Sequence, residues 1–283
     1  MTGPVPVHLR DLTLEWGRRT YIMGVLNVTP DSFSGDGIMD VPAAVARARQ
    51  MLAEGADIID VGGESTRPGA QPVPLDEELR RVIPAVEALA GELGAVVSVD
   101  TMKSEVARRA LRAGAAMVND VSALRADPEM PGVVAEGHAP VVLMHGYGIS
   151  KRPSSEGTAA GVVAEMLNFL EERIESAVAA GLARERIFVD PGFGFGKTIQ
   201  QNLEIIRRLR ELRVLGLPVV IGPSRKGTIG HILGGLPVQE RVEGTAAAVA
   251  VCIMNGADVI RVHDVGVMVR VARATDAIVR VPE

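Results

Sequence analysis

The stretch Ile187–Thr198, which reads Ile-Phe-Val-Asp-Pro-Gly-Phe-Gly-Phe-Gly-Lys-Thr, predicts a buried strand that ends at a carboxylate. Pro191 and Gly192 follow Asp190 directly and prevent the strand from continuing. The alternating glycines allow the backbone to approach a ligand closely, and the phenylalanines between them can lie flat against an aromatic ring. The spacing is neither that of a P-loop, which requires glycine where Pro191 stands, nor that of a dinucleotide-binding loop. Taken alone, the stretch is also consistent with an ordinary glycine-rich turn.

The same succession of apolar strand, polar strand end and amphipathic helix recurs along the whole chain. Each strand is a short, nearly continuous apolar run, as expected of a strand buried on both faces. The predicted strands are Tyr21–Leu26, Ile58–Val61, Val96–Val99, Met117–Val118, Val141–Met144, Ile187–Asp190, Pro218–Gly222 and Val259–Val262. The predicted helices are Val41–Glu54, Leu75–Leu93, Lys103–Arg112, Met130–Glu136, Val162–Ala180, Gln201–Arg213, Gly244–Met254 and Val265–Val279. Eight alternating units in 283 residues favour a single (β/α)8 TIM barrel over an open doubly wound sheet.

No linker or change of composition divides the chain. Residues 1–20 are predicted to form a short N-terminal β-hairpin that caps the barrel, and residues 21–283 to form the barrel as one domain. The net charge of −5 argues against a general electrostatic attraction for nucleic acid or an anionic membrane. The single cysteine, Cys252, excludes an internal disulfide and a cysteine zinc site. Together with the lack of an apolar signal segment at the N-terminus, it favours a cytoplasmic protein.

In a TIM barrel the catalytic groups lie at the C-terminal ends of the strands, where the βα loops converge. Those ends carry Asn27, Asp60, Asp100, Asn119, Asp120, His145, Asp190, Ser224, Lys226, Arg261 and His263. Packing does not require polar residues at so many strand ends. Some of them could only cap helices or bind backbone amides, which is the alternative for Asp60 and Asp120. The set as a whole predicts a binding site at this end of the barrel.

These residues fall into two chemical groups. Asp100, Asn119 and Asp190 suit the edge of a flat, nitrogen-rich heterocycle, because carboxylates and amides accept and donate hydrogen bonds in one plane. Lys226 could bind the opposite edge, while Phe195 and Met144 could pack on the ring faces. An anion is favoured by Ser65, Thr66, Arg67, Arg261 and His263.

Within the second group, Arg261 and His263 alternate along one strand and therefore face the same way. Arg225 is instead expected to form a surface salt bridge. No strand-end residue is predicted to be a nucleophile, because Cys252 lies in a helix and Ser224 has no adjacent histidine in the sequence.

Eight segments together resemble the motif set of the dihydropteroate synthase family. They are Gly24–Ser34, Asp60–Gly69, Ser98–Thr101, Val118–Val121, Leu143–His145, Asp190–Lys197, Ser224–Lys226 and Arg261–Asp264, and the first two are highly specific. The resemblance implies a transferase of folate biosynthesis that joins p-aminobenzoate to 6-hydroxymethyl-7,8-dihydropterin diphosphate, with Mg2+ assistance, and releases pyrophosphate. It also implies that sulfonamides act on the protein as p-aminobenzoate mimics, and that the protein is a homodimer.

The resemblance assigns roles to individual positions. Asp100, Asn119, Asp190 and Lys226 match pterin-binding positions, and Phe195 matches the position that packs on the ring; Met144 and Gly222 complete this predicted substrate-binding set. Asn27 matches the residue linked to metal and diphosphate, with Arg261 and His263 as diphosphate anchors. The predicted p-aminobenzoate site takes Asp31, Ser32, Phe33, Thr66, Arg67 and Pro68 from two loops. The sequence departs from the family pattern at Gly35-Asp36-Gly37 and at Gly227, where serine is common.

Two other functions were open at this level. A methyltetrahydrofolate:corrinoid methyltransferase would also use Asp and Asn at strand ends, but it would not need Arg67, Lys226, Arg261 and His263. A pterin-binding protein without turnover is expected to have broken loop motifs, and here they are intact apart from the two departures.

Two further expectations concern assembly and mechanism. The helix Gly244–Met254 is apolar nearly all round, which favours a partner on its outer side and hence a homodimer. Since the dihydropterin ring is electron-rich and the arylamine is a poor nucleophile, diphosphate is expected to leave first, giving a pterin cation. The loops Val28–Met39 and Gly62–Pro74 are expected to close over it.

Overall fold

The computed structural model describes residues 4–29, 40–65, 71–146 and 159–280. The chain begins with the predicted hairpin, which consists of strands β1 (Val7–Leu9) and β2 (Leu12–Leu14). The two strands are antiparallel, with Val7 opposite Leu14. Val7, Leu9 and Leu14 are all buried, because this small sheet packs against residues of the barrel that follows. The division into domains at residue 20 stays a prediction.

Eight parallel strands follow and form a nearly closed barrel, which confirms the predicted (β/α)8 architecture. They are β3 (Tyr21–Asn27), β4 (Ile58–Gly62), β5 (Val97–Asp100), β6 (Met117–Asp120), β7 (Val141–Met144), β8 (Ile187–Asp190), β9 (Val220–Ile221) and β10 (Val259–Val262). Strands β3 to β8 pair in chain order, and β10 pairs with both β3 and β9. A single backbone bridge between Val189 and Val219 joins β8 to the start of β9. The strand β9 covers only Val220–Ile221 of the predicted Pro218–Gly222, and Pro218, which has no N–H to donate, lies outside it.

The helices of the described residues lie outside the strands. They are α1 (Val41–Glu54), α2 (Leu75–Glu92), α3 (Ser104–Arg112), α4 (Met130–Glu136), α5 (Val162–Ala179), α6 (Ile199–Arg207), α7 (Gly227–Ile232), α8 (Val242–Met254) and α9 (Val265–Val279). Within these ranges no helix combines the length and apolar character needed to cross a bilayer.

The predicted helix Gln201–Arg213 is wrong in its second half. The helix α6 ends at Arg207, and a 3-10 helix over Leu209–Leu215 replaces the last turns. Leu209, Leu212 and Leu215 are spaced by three residues, so a helix with three residues per turn places all three on one buried face.

Along each strand, successive side chains alternate between two environments. In β8, Ile187 and Val189 pack against the helices, whereas Phe188 and Asp190 face the barrel interior. The lower interior, near the N-terminal ends of the strands, contains Tyr21, Met23, Ile58, Met117, Val142, Phe188, Val220 and Val259. The upper interior, one layer further along the strands, contains Asp60, Ser98, Asp100, Asn119, Asp190 and Arg261.

The hairpin closes the lower interior from below. Its buried side chains form one cluster with the lower interior. Trp16 lies edge-on to Phe188, with the ring centroids 5.5 Å apart, and its indole N–H donates to the carbonyl of Val5 at 2.8 Å. Because apolar side chains fill the barrel from this side, the polar end of the interior formed by the described residues is the upper one.

Candidate active site

An arginine and two carboxylates form the centre of the upper interior. Arg261 Nε donates to Asp60 Oδ2 at 2.6 Å, and Arg261 Nη2 donates to Asp100 Oδ2 at 2.7 Å. Asn119 Nδ2 donates to the same Asp60 oxygen at 3.0 Å. Burial disfavours the charged guanidinium, but Asp60 and Asp100 outweigh it and raise the pKa of Arg261. The arginine is therefore a fixed cation between two buried carboxyl groups.

This layer also contains buried acceptors that the described residues do not satisfy. Asp60 Oδ1, Asp100 Oδ1 and Ser98 Oγ have no hydrogen-bond partner among the described residues. Such atoms are costly unless another group donates to them. Burial raises the pKa of Asp100 to about 7, although Arg261 opposes the shift. The layer thus favours a ligand that brings N–H or O–H donors.

Asp190 ends β8 on the other side of the same layer. Its Oδ1 accepts the backbone N–H of Gly192 at 2.6 Å, which fixes the plane of the carboxyl group. Burial raises the pKa of Asp190 to about 6, against the opposing effects of the Gly192 N–H and of Lys226. Asp190 is therefore ionised at neutral pH and partly protonated in mild acid.

The glycine loop after Asp190 is fastened to the end of β7. At Gly192, with φ of +65°, a Cβ would lie 1.9 Å from the carbonyl oxygen of His145, so no other residue fits. Lys197 Nζ donates to the carbonyls of His145 and Gly192, each at 2.9 Å. Burial lowers the pKa of Lys197 to about 7. Sequence reasoning did not place Lys197 in the site, although a lysine directly after a buried glycine loop was a usable signal.

The predicted ring-packing residues lie together beside this loop. Lys226 Nζ lies 3.9 Å from the centre of the Phe195 ring. A Cβ on Gly146 would lie 3.4 Å from Met144 Cε and 3.8 Å from Phe195 Cβ. The side chains of Met144 and Phe195 therefore both lie next to Gly146. Gly222 packs on Arg261, since a Cβ there would lie 3.6 Å from Arg261 Cβ.

At the end of β10 the structure corrects an expectation about Ser224. Its hydroxyl oxygen lies 3.0 Å from His263 Nδ1 and accepts the His263 backbone N–H at 3.2 Å. The serine therefore has a neighbouring histidine in space, which the sequence concealed because the two residues meet only where β9 and β10 lie side by side. Ser224 is buried, and it orients the imidazole of His263.

Three other strand-end residues have defined partners or surroundings. Asp120 faces away from the interior and accepts the backbone N–H groups of Ser122 and Leu124, as the capping alternative predicted. The same alternative is wrong for Asp60, which instead binds side chains of the site. The signal was available, because a carboxylate inside an apolar run requires a buried counter-charge. His145 is buried, and burial lowers its pKa to about 3, so it is neutral.

The remaining predicted residues divide into two sets. Asn27 is described, and it is the partly buried last residue of β3. The residues assigned to the p-aminobenzoate site lie outside the described residues: Asp31, Ser32, Phe33, Thr66, Arg67 and Pro68, together with the Gly35-Asp36-Gly37 departure. Arg225 forms the predicted salt bridge, with Asp264, but the two side chains are only 17% and 20% exposed, so the pair is not a surface one.

Comparison with known proteins agrees with this arrangement. The family described as pterin binding enzyme matches residues 23–263. The dihydropteroate synthase of Synechocystis sp. is 45% identical over 278 residues, which are 98% of this chain and 96% of that relative. The Yersinia pestis dihydropteroate synthase, solved with a sulfonamide drug complex, has a TM-score of 0.91 and 40% identity, covering 97% of this chain and 99% of that chain. The Xanthomonas albilineans dihydropteroate synthase with 4-aminobenzoic acid has a TM-score of 0.88 and 45% identity, covering 99% and 100%. The chain belongs to the dihydropteroate synthase family of pterin-binding enzymes, transferases of folate biosynthesis.

Proposed function

We propose that this chain condenses 6-hydroxymethyl-7,8-dihydropterin diphosphate with p-aminobenzoate, giving 7,8-dihydropteroate and pyrophosphate. The observation that carries the proposal is the upper interior, where Asp100 and Asp60 have buried acceptors beside Arg261 that no described residue satisfies. An aminopterin edge is rich in N–H donors, and a donor-rich edge complements unsatisfied carboxylate oxygens. The Xanthomonas albilineans relative, solved with 4-aminobenzoic acid, supports the second substrate.

The pterin edge is bound by Asp100, Asn119 and Asp190, with Lys226 on the other side and Phe195 and Met144 against the ring. The diphosphate lies towards Asn27, Arg261 and His263. Arg261 is already paired with Asp60 and Asp100, so it stabilises the diphosphate as a fixed charge and does not need to reorganise.

Mg2+ is the proposed cofactor, and the donor set of the site fits a particular mode of binding. In the described part of the chain no group of three His, Cys, Asp or Glu side chains could hold a metal ion by itself. Mg2+ commonly keeps several waters and is held by one or two protein ligands together with substrate phosphates. Asn27 would supply an amide oxygen in that arrangement. When bound, the ion would neutralise charge on the departing diphosphate.

The reaction begins with cleavage of the bond between the pterin methylene carbon and the diphosphate oxygen, and the electron pair leaves with the oxygen. Asp100 and Asp190 offset the positive charge left on the pterin. The arylamine nitrogen then forms the new C–N bond and releases a proton to solvent. Ser224 need not act as a nucleophile in this scheme, since its hydroxyl orients His263.

The order of binding provides the decisive test. Asn27 directly precedes the first loop assigned to p-aminobenzoate, so bound diphosphate adjoins that loop. We expect p-aminobenzoate to bind weakly to the free protein and tightly only with pyrophosphate, Mg2+ and pterin present, as measured by isothermal titration calorimetry. Equal affinity in both conditions would rule out the ordered, dissociative scheme. Absence of turnover with both substrates would reject the proposed reaction itself.

Sulfonamides are proposed to occupy the p-aminobenzoate site, because the Yersinia pestis relative was solved with a sulfonamide drug complex. Gly227 lacks the hydroxyl that the family often has there, and a Cβ at this position would meet no described atom within 4 Å. Both Ser and Ala should therefore fit at position 227 without strain. Gly227→Ser should bind p-aminobenzoate more tightly than the wild type, whereas Gly227→Ala should bind it with unchanged affinity. Titration of the two variants separates the hydroxyl from the added bulk.

We propose that the protein is a cytoplasmic homodimer. The inner face of α8 is buried and consists of Thr245, Ala248, Val249, Cys252 and Ile253. On its outer face, Val251 and Met254 are 41% and 53% exposed. An apolar outer face is stabilised by a partner. Light scattering at micromolar concentration should give the mass of two chains, and Met254→Glu should give one. A monomeric wild type would contradict the proposal.

A further inference from the structure

A strained turn joins the two halves of the proposed substrate site. Ser224, Arg225 and Lys226 connect β9 to α7, and Arg225 has a φ of +58°. Left-handed backbone is unfavourable for a residue with a side chain, so the rest of the structure must hold Arg225 in place. Such strain clusters at functional positions.

Three separate contacts hold Arg225. Its N–H donates to the hydroxyl of Thr245, a fully buried residue of α8, at 3.1 Å. Its carbonyl accepts Arg241 Nη1 at 3.0 Å. Its guanidinium donates to both carboxylate oxygens of Asp264, at 2.9 Å and 2.5 Å. Both backbone polar groups and the side chain of Arg225 are thus bound to the scaffold.

Asp264 and Arg241 are both placed so that they bind Arg225. Asp264 occupies the N-cap position of α9, where aspartate commonly binds backbone N–H groups, yet its side chain makes no cap bond and binds Arg225 instead. Arg241 reaches the carbonyl of Arg225 by passing over Gly230, where a Cβ would lie 2.4 Å from the guanidinium carbon. Any larger residue at 230 would displace Arg241.

The residues on either side of Arg225 point to different parts of the site. Ser224 contacts the imidazole of His263, on the diphosphate side. Lys226 lies over the ring of Phe195, on the pterin side. One turn therefore sets the direction of both side chains.

We propose that Arg225 is a positioning residue, held by Asp264 and Arg241, that aligns Ser224 with the diphosphate half and Lys226 with the pterin half of the substrate. The inference rests on the proposed function. It adds that the two halves are recognised through one rigid turn, so that damage to the turn weakens both.

The test measures pyrophosphate (with Mg2+) and 6-hydroxymethylpterin separately, by calorimetry on the full chain. Ser224→Ala should lower the affinity for pyrophosphate about tenfold and leave the affinity for the pterin unchanged. Lys226→Met should lower the affinity for the pterin about tenfold and leave that for pyrophosphate unchanged. Each loss is that expected for one hydrogen bond. Asp264→Asn should weaken both ligands. Glu211→Gln removes the charge of one carboxylate that pairs with Arg208, at 2.7 Å, at the opposite end of the barrel; it is the matched control and should weaken the binding of neither ligand.

A double variant separates positioning from general damage. If Asp264 acts through Ser224, then Ser224→Ala adds no further loss of pyrophosphate affinity in the Asp264→Asn background, whereas independent effects would add. Unchanged affinity for both ligands in folded Asp264→Asn, or additive losses, would overturn the inference. If that variant does not fold, Arg241→Lys is judged by the same criteria. Failure of the wild type to bind either ligand would instead reject the proposed function.

Discussion

The lower and upper interiors of the barrel are built from the same strands, yet they contain opposite chemistry. In β8 the lower residue is Phe188, fully buried against the hairpin, and two residues later the upper residue is Asp190. The lower layer can be stabilised entirely by apolar burial. The upper layer contains buried charges, whose desolvation opposes folding unless they are paired. The comparison teaches that one layer of side chains stabilises the fold and the next layer along the barrel axis binds the ligand.

Phe188→Ala tests the lower interior alone. It should lower the free energy of unfolding by about 3–5 kcal/mol, because a large buried ring leaves a cavity that relaxes only partly. Chemical denaturation measures this loss, and Ile278→Ala, at a side chain 75% exposed, is the control with no expected change. Pterin affinity of the folded variant should stay at the wild-type value. A large loss of affinity would show that the two layers are not separate.

Arg261→Met asks whether the upper interior also supports the fold. It leaves Asp60 and Asp100 buried without their cation, which should cost about 3–5 kcal/mol of unfolding free energy at pH 8. Arg261 lowers the pKa of Asp100, so its loss raises that pKa above the wild-type value of about 7, and the penalty diminishes as the pH falls towards 7. Denaturation at pH 8 and pH 5.5 should show a smaller deficit at the lower pH.

The control for that variant is Arg109→Met, which breaks an exposed 2.7 Å pair with Glu105 and should cost little at either pH. An Arg261→Met deficit that did not depend on pH would contradict the assignment of a charge-pairing role. The expected loss of pyrophosphate affinity is a separate readout of the same variant.

Asp190→Asn should affect recognition more than folding. Loss of one charged partner of a buried hydrogen bond costs about 2–5 kcal/mol, or roughly thirty- to several-thousand-fold in pterin affinity. Asp258→Asn is the matched control, because Asp258 is an equally buried carboxylate that binds the Val219 N–H at 2.9 Å at the lower end of the barrel. Titration with the pterin alcohol should distinguish them. Wild-type affinity in Asp190→Asn would reject the assignment of the pterin edge.

The smallest expected effect is a pH dependence of pterin binding. A pterin N–H binds an ionised carboxylate more strongly than a protonated one, and the pKa of Asp190 in the free protein is about 6. Ionisation of Asp190 alone should therefore raise the affinity roughly tenfold from pH 5 to pH 7. Asp190→Asn should reduce the rise to the part contributed by Asp100. A flat profile in the wild type would show that the charge of this layer is not used.

Sequence alone was sufficient where a physical signal was local. Asp100 and Asp190 each end an apolar run, so their position at the mouth of a barrel followed from the alternation of strands and helices. The apolar periodicity also placed α1 and α9 correctly to the residue. It failed at Leu209–Leu215, where three-residue spacing was read as a continuation of an α-helix.

The parts of the site that the sequence did not predict are contacts between residues far apart in the chain. Asp60 was not expected to bind Arg261, because its partner lies 201 residues away and is chosen by barrel closure. Ser224 and His263 are 39 residues apart and meet only through the pairing of adjacent strands. Local patterns specify which residues face the interior, but the choice of hydrogen-bond partners depends on how the strands are arranged around the barrel.

The contact between Trp16 and Phe188 also has a consequence for synthesis of the chain. The hairpin is synthesised before β8, and this partner of Trp16 is added about 170 residues later. At about 5–20 residues per second, the apolar side chains of the hairpin wait roughly ten to thirty seconds for the strand against which they pack. Trp16 is the only tryptophan of the chain, so its fluorescence reports when the hairpin packs against the lower interior of the nascent barrel.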